Sequence, residues 1–180
     1  MSKVYFSILI LAAFVLTGCA STPKNTTPGF STYTANLSGD GSMQIIDVQD
    51  NAEAGTGNGI DVTVYSKGRG KEKTKIDGIE LSGKLSKVDL IELNNDGQKQ
   101  LAIYTRKEGN ITNLVVYCLQ NNILTKMFDS SSEFGIKIDS MGVIARIKIG
   151  KPQSRPQPNS PNCLNEWQTW VWAGDKFVKE

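Results

Sequence analysis

The chain has 180 residues, 39% hydrophobic and 21% charged, a balance that fits a folded globular protein rather than a disordered one. Its 20 basic and 18 acidic residues leave a formal charge of +2, so the global basicity of a nucleic-acid binder is absent. It contains no histidine, which removes every Ser-His or Cys-His nucleophile scheme, every His-ligated zinc site and every His general base.

The amino terminus reads as an address. Lys3 supplies a positive charge, and Val4–Leu16 is apolar apart from Ser7. That length suits the hydrophobic core of a signal peptide, whereas a spanning helix needs about 20 apolar residues. Leu16-Thr17-Gly18-Cys19 follows. Charged start, apolar core and this tetrapeptide, in this order, resemble the signal and lipobox of bacterial lipoproteins. The resemblance implies that residues 1–18 are a signal peptide cleaved before Cys19, that the Cys19 thiol receives a diacylglycerol, and that the new amino terminus is acylated. Several acyl chains, at about 0.8 kcal/mol per buried methylene, make such an anchor permanent. Ala20 stands where lipoproteins retained at the inner membrane of many Gram-negative bacteria often carry Asp. By that resemblance the expected location is the periplasmic face of the outer membrane, or the outer face of the cytoplasmic membrane in a Gram-positive cell.

Residues 19–35 read as the lipidated cysteine and a flexible tether, because Ala20–Ala35 is rich in Ser, Thr, Pro and Gly, with Lys24 its only charge. Residues 36–180 read as a single all-β domain. Strands are expected over Met43–Val48, Ile60–Ser66, Leu85–Leu93, Leu101–Thr105, Leu114–Leu119, Ile123–Phe128, Phe134–Ile138, Val143–Ile149, Trp167–Trp172 and Lys176–Val178. Period-two alternation with β-branched and aromatic residues is the mark of a half-buried strand. The breaks carry turn chemistry, as at Gly39-Asp40-Gly41, Asn95-Asp96-Gly97, Asn121-Asn122 and Gly174-Asp175.

One segment is repeated. Asn36–Ile46 lines up with Glu92–Ala102: a polar Asp-Gly turn, a small or polar pair, a glutamine (Gln44, Gln100) and an apolar strand start. Repeats of this size suggest blades or arrays. The motif resembles the FG-GAP and VCBS-type repeats of extracellular β-propeller proteins, whose Asp-rich loops often hold calcium. Carried over, the resemblance places Asn36, Ser38, Asp40 and Gln44 in the first copy, and Glu92, Asn94, Asp96 and Gln100 in the second, as calcium-ligand positions, with one carboxylate in the first and two in the second. Calcium prefers six to eight oxygens with several carboxylates, so these are weak sites, and both Asp-Gly pairs also read simply as hairpin turns with Gly supplying positive φ. A closed propeller needs about four or more four-stranded blades. At roughly 50 residues a blade, this chain has room for three. The expected architecture is therefore about three small antiparallel sheets in a propeller-like fragment, with a β-sandwich as the alternative. Its open sheet edges would need cover from a loop or a partner.

With Cys19 carrying lipid, Cys118 and Cys163 remain in an oxidising compartment, the count that makes one disulfide. Paired, they would close a loop of about 45 residues, worth about 4 kcal/mol in the chain-entropy model; the alternative is two separately buried thiols. Lys67, Arg69, Lys71, Lys73 and Lys75 crowd a glycine-rich stretch that reads as a solvated hairpin tip or as a contact for anionic head groups. Lys151–Asn162, with Pro156 and Pro158 near its middle, is an extended, proline-stiffened connector or a docking segment. Trp167, Trp170 and Trp172 form the densest aromatic cluster. Alternation puts Trp170 and Trp172 on one face, to pack in the core or to serve, with the Pro156 and Pro158 segment, as a partner surface.

No catalytic constellation is visible. Asp89 and Glu92 could suggest a glycosidase-type pair, but three residues apart on a strand they face opposite sides. The expected function is therefore that of a lipid-anchored, non-catalytic envelope protein that binds another envelope component as a subunit or adaptor, with no cofactor beyond the weak calcium. The alternative is a calcium- or carbohydrate-binding module using the Asp-Gly loops or the Trp-rich face.

Overall fold

The computed structural model describes residues 25–27, 29–68, 72–94, 96–139, 145–152 and 166–180. The signal peptide, Cys19, Pro156, Pro158 and Cys163 lie outside the described residues. The all-β expectation holds, and the chain forms three small antiparallel sheets in sequence order. The first contains β1 (Asn25–Thr27), β2 (Phe30–Ala35), β3 (Gln44–Asp50), β4 (Ile60–Lys67) and β5 (Lys73–Leu81). The second contains β6 (Lys84–Glu92), β7 (Lys99–Arg106), β8 (Thr112–Gln120) and β9 (Ile123–Ser132). The third contains β10 (Ile136–Asp139), β11 (Arg146–Lys151), β12 (Glu166–Trp172) and β13 (Phe177–Lys179). Each is a meander in which every strand pairs with its neighbour in the chain, so the pairing is local in sequence.

Side-chain alternation stacks the sheets. On β3 and β4, Ile46, Val48, Val62 and Val64 point one way and pack against Val88, Leu101, Ile103 and Val115 of the second sheet. The other face of the second sheet, with Ala102, Tyr104, Leu114 and Val116, packs against Ile136, Ile147, Ile149 and Phe177 of the third. β7 and β8 are thus buried on both faces and read as continuous apolar runs, as expected for a middle layer.

The first two sheets are copies of one unit. Ile46 pairs with Val64 and Val48 with Val62, as Ala102 pairs with Val116 and Tyr104 with Leu114. Both units carry a register shift at the same place, Val64/Tyr65 against β5 and Val116/Tyr117 against β9. The outward face of the first sheet has Thr32, Asp47 and Thr63 where the matching positions of the second have buried Val88, Ile103 and Val115. The outward face of the third carries Arg146, Lys148 and Thr169. Polar outer faces end a stack, as capping repeats do in other arrays.

Two expectations need correction. The tether over residues 19–35 is too long: Phe30–Ala35 is β2, paired along its length with β3, with Tyr33 and Ala35 in the core. Thr32 and Thr34 are polar because they line the solvent face of an end sheet, not because the segment is unpacked, while Ser31 shares the inner face with Tyr33. β5 was not expected at all. Its lysine-rich start resembles a hairpin tip, and the bulge opposite Val64/Tyr65 breaks the alternation of Ile76, Ile79 and Leu81.

Candidate functional site

The two Asp-Gly loops, which join β2 to β3 and β6 to β7, sit side by side and interlock. The backbone N–H of Lys99 donates to the Asn36 carbonyl at 2.7 Å, and Gln98 Nε2 donates to the Leu37 carbonyl at 2.8 Å. Asn36 Nδ2 reaches the Gly97 carbonyl at 3.3 Å. Leu37 and Leu93, matching residues of the repeat, plug the cores in front of their own sheets. In both loops the aspartate folds back on the chain: Asp40 Oδ1 accepts from Ser42 N and Asp96 Oδ1 from Gln98 N, at 2.8 and 2.9 Å. Gly41 and Gly97 take positive φ of 82° and 79°, the backbone that these turns demand.

Most of the oxygens that calcium would need already accept from protein donors. Ser38 Oγ and Ser42 Oγ each donate to Asp40 Oδ1 at 2.6 Å. These bonds, led by the Ser38 hydroxyl, pull the Asp40 carboxyl down to a pKa of about 2. Asn36 Oδ1 accepts from Gly39 N. In the second loop Lys99 Nζ lies 2.6 Å from Glu92 Oε2, while Gly97 N donates to Glu92 Oε1, and both interactions lower the Glu92 pKa. Asn94 turns its amide nitrogen toward Asp96 Oδ2. Among the described residues no group of three or more His, Cys, Asp or Glu converges as a cation site. The donor set of Asn36, Ser38, Asp40, Glu92, Asn94 and Asp96 therefore does not fit a calcium ion.

The aromatic cluster divides between core and surface. Trp170 and Trp172, expected as a partner surface, are half-buried and pack against the core between the second and third sheets. There Trp170 meets Phe128 edge-on at 5.8 Å, and Trp172 meets Phe177 at 5.2 Å. They face inward because alternation on β12 puts them on the side of Ile147 and Phe177, their cross-strand partners. Trp167, of opposite parity, is 41% exposed and carries Lys137 Nζ 4.6 Å from its ring centre. Beside it lies an open groove of about 290 Å³ lined by Lys151, Glu166, Gln168, Thr169, Lys179 and Glu180.

Cys118 is buried on β8 as a free thiol, its Sγ 3.7 Å from the Thr125 carbonyl, and burial pushes its pKa up. Among the described residues no disulfide is formed, and Cys163, the expected partner of Cys118, lies outside them. In the basic hairpin, Lys73 is held by Asp47 at 3.1 Å and lies over the Tyr65 ring, so it is not a free head-group contact. Asp89 and Glu92 pair separately with Lys87 and Lys99 and lie on opposite faces of β6. Sequence reasoning missed Asp50, which is 1% exposed. It caps the short helix α1 (Asn51–Ala54) through Oδ1 and accepts the Leu85 N–H at 2.8 Å through Oδ2, tying the first sheet to the second. An aspartate before a helical turn was its one legible signal.

No protein-family model matches the chain, and no curated protein or solved structure matches it significantly.

Proposed function

We propose that this chain is a lipid-anchored, non-catalytic protein of the bacterial cell envelope whose three-sheet domain binds another envelope component as a subunit or adaptor. The observation that carries this reading is Leu16-Thr17-Gly18-Cys19 behind a charged start and an apolar core. The likeness to FG-GAP and VCBS-type repeats is supported by the two matching Asp-Gly loops, which fall at the same corner of two matching sheets. Trp170 and Trp172 leave the contact surface, since they are occupied in the core. Trp167 replaces them: an exposed indole with a lysine on its face and a polar groove at its side offers both apolar area and charge. Pro156 and Pro158, on the segment leading into β12, remain part of the proposed surface.

Two measurements test this. Cell fractionation should find the full-length protein in membranes and a Cys19→Ser variant released from them; a variant that stays in membranes refutes the lipid anchor. Cross-linking in cells, followed by mass spectrometry, should recover one dominant envelope partner, with less of it for Trp167→Ala. Recovery of no specific partner would sink the adaptor reading.

A further inference from the structure

The repeated glutamines do something that the loop resemblance does not anticipate. Gln44 and Gln100 are 4% and 2% exposed and occupy the same position in their loops. Each Oε1 accepts a backbone N–H, from Leu37 at 2.7 Å and from Leu93 at 3.1 Å. A backbone N–H can only donate, so both carboxamides have one possible orientation, and both turn Nε2 into the loop. In the first loop Nε2 donates to Ser42 Oγ at 2.7 Å and to Ser38 Oγ at 3.0 Å. Those two hydroxyls in turn donate hydrogen bonds to Asp40 Oδ1. In the second loop Nε2 donates to the Gln98 carbonyl at 3.2 Å.

We infer that the carboxamide nitrogen of Gln44 takes the place of a bound cation, supplying from within the chain the positive pole around which its loop's oxygens gather; Gln100 repeats the orientation with a single bond, to the Gln98 carbonyl. In the first loop the donor chain runs from an amide, through two hydroxyls, to a carboxylate, and the loop holds its shape without metal. This inference is independent of membrane anchoring and of any partner. It also has a chemical consequence. Replacing Gln44 by glutamate substitutes an acceptor for the Nε2 donor and adds a negative charge opposite Asp40. The loop then lacks a positive pole, and a divalent cation is the group that restores one.

The test is thermal melting of the full-length chain in detergent, in chelator and in millimolar calcium. Wild type should melt at the same temperature in both. Gln44→Glu should melt lower in chelator, by on the order of 5 °C, and calcium should recover most of the loss while magnesium does not. A selective rise of the wild-type melting temperature with calcium would overturn the inference. So would a Gln44→Glu chain that melts like wild type in chelator, or one that stays low in both buffers. If Gln44→Glu does not fold, calorimetric titration of calcium into wild type decides: no binding heat at millimolar calcium supports the inference and saturable binding refutes it.

Discussion

Asp50 offers a direct perturbation of the contact between the first two sheets. Its carboxylate accepts three backbone N–H groups: Ala52 at 3.1 Å, Glu53 at 3.2 Å and Leu85 at 2.8 Å. Asp50→Ala removes the helix cap, worth about 1 kcal/mol. It also leaves the Leu85 N–H without its charged acceptor, at about 1–3 kcal/mol. The expected loss is therefore about 2–4 kcal/mol, and the short helix and the entry to β6 loosen together. Asp50→Asn keeps one acceptor oxygen but turns an N–H toward either the helix or Leu85, so it should cost about half as much. Urea denaturation followed by tryptophan fluorescence measures both, since Trp170 and Trp172 report on packing between the second and third sheets. The midpoint should fall with the slope unchanged. An Asp50→Ala chain within about 0.5 kcal/mol of wild type, below even the weakest cap loss, would refute the clamp, as would an Asn variant worse than the Ala variant.

The tryptophans separate core from surface. Trp170→Ala should destabilise by about 2–4 kcal/mol, whereas Trp167→Ala should stay within about 1 kcal/mol of wild type; equal losses in denaturant would contradict the placement of β12. Asp40 has a folded pKa of about 2 against an ordinary 3.8, so between roughly pH 4 and pH 2 the unfolded chain binds more protons than the folded one. Acidification through that window should lower the melting temperature, and Asp40→Asn should flatten the slope; an unchanged slope would remove Asp40 from the account. Cys118, buried and with its pKa raised, should resist alkylation in the native chain at pH 8 and react on unfolding, as read by mass spectrometry of its peptide. Native labelling at the denatured rate would show an open strand.

Much of this protein was legible from the sequence because strands write their burial into period two. Val62, Val64, Ile147 and Ile149 alternate with polar partners, and the turns between strands carry Gly, Asn and Asp for reasons local to the backbone. The repeated Asp-Gly segment was visible for the same reason, and so was the number of sheets, since a meander keeps its pairings close in the chain. The tertiary structure decided what depends on neighbours far along the chain. Whether a Thr-rich stretch is a tether or the solvent face of an end sheet depends on what lies opposite, and Phe30–Ala35 proved to lie against β3. Parity showed that Trp170 and Trp172 share a face but not which face is inside; Phe128, from another sheet, settles that. A glutamine in a loop can offer an oxygen or a nitrogen, and only the Leu37 and Leu93 N–H groups, by taking the oxygens of Gln44 and Gln100, turn the nitrogens inward where calcium ligands were expected.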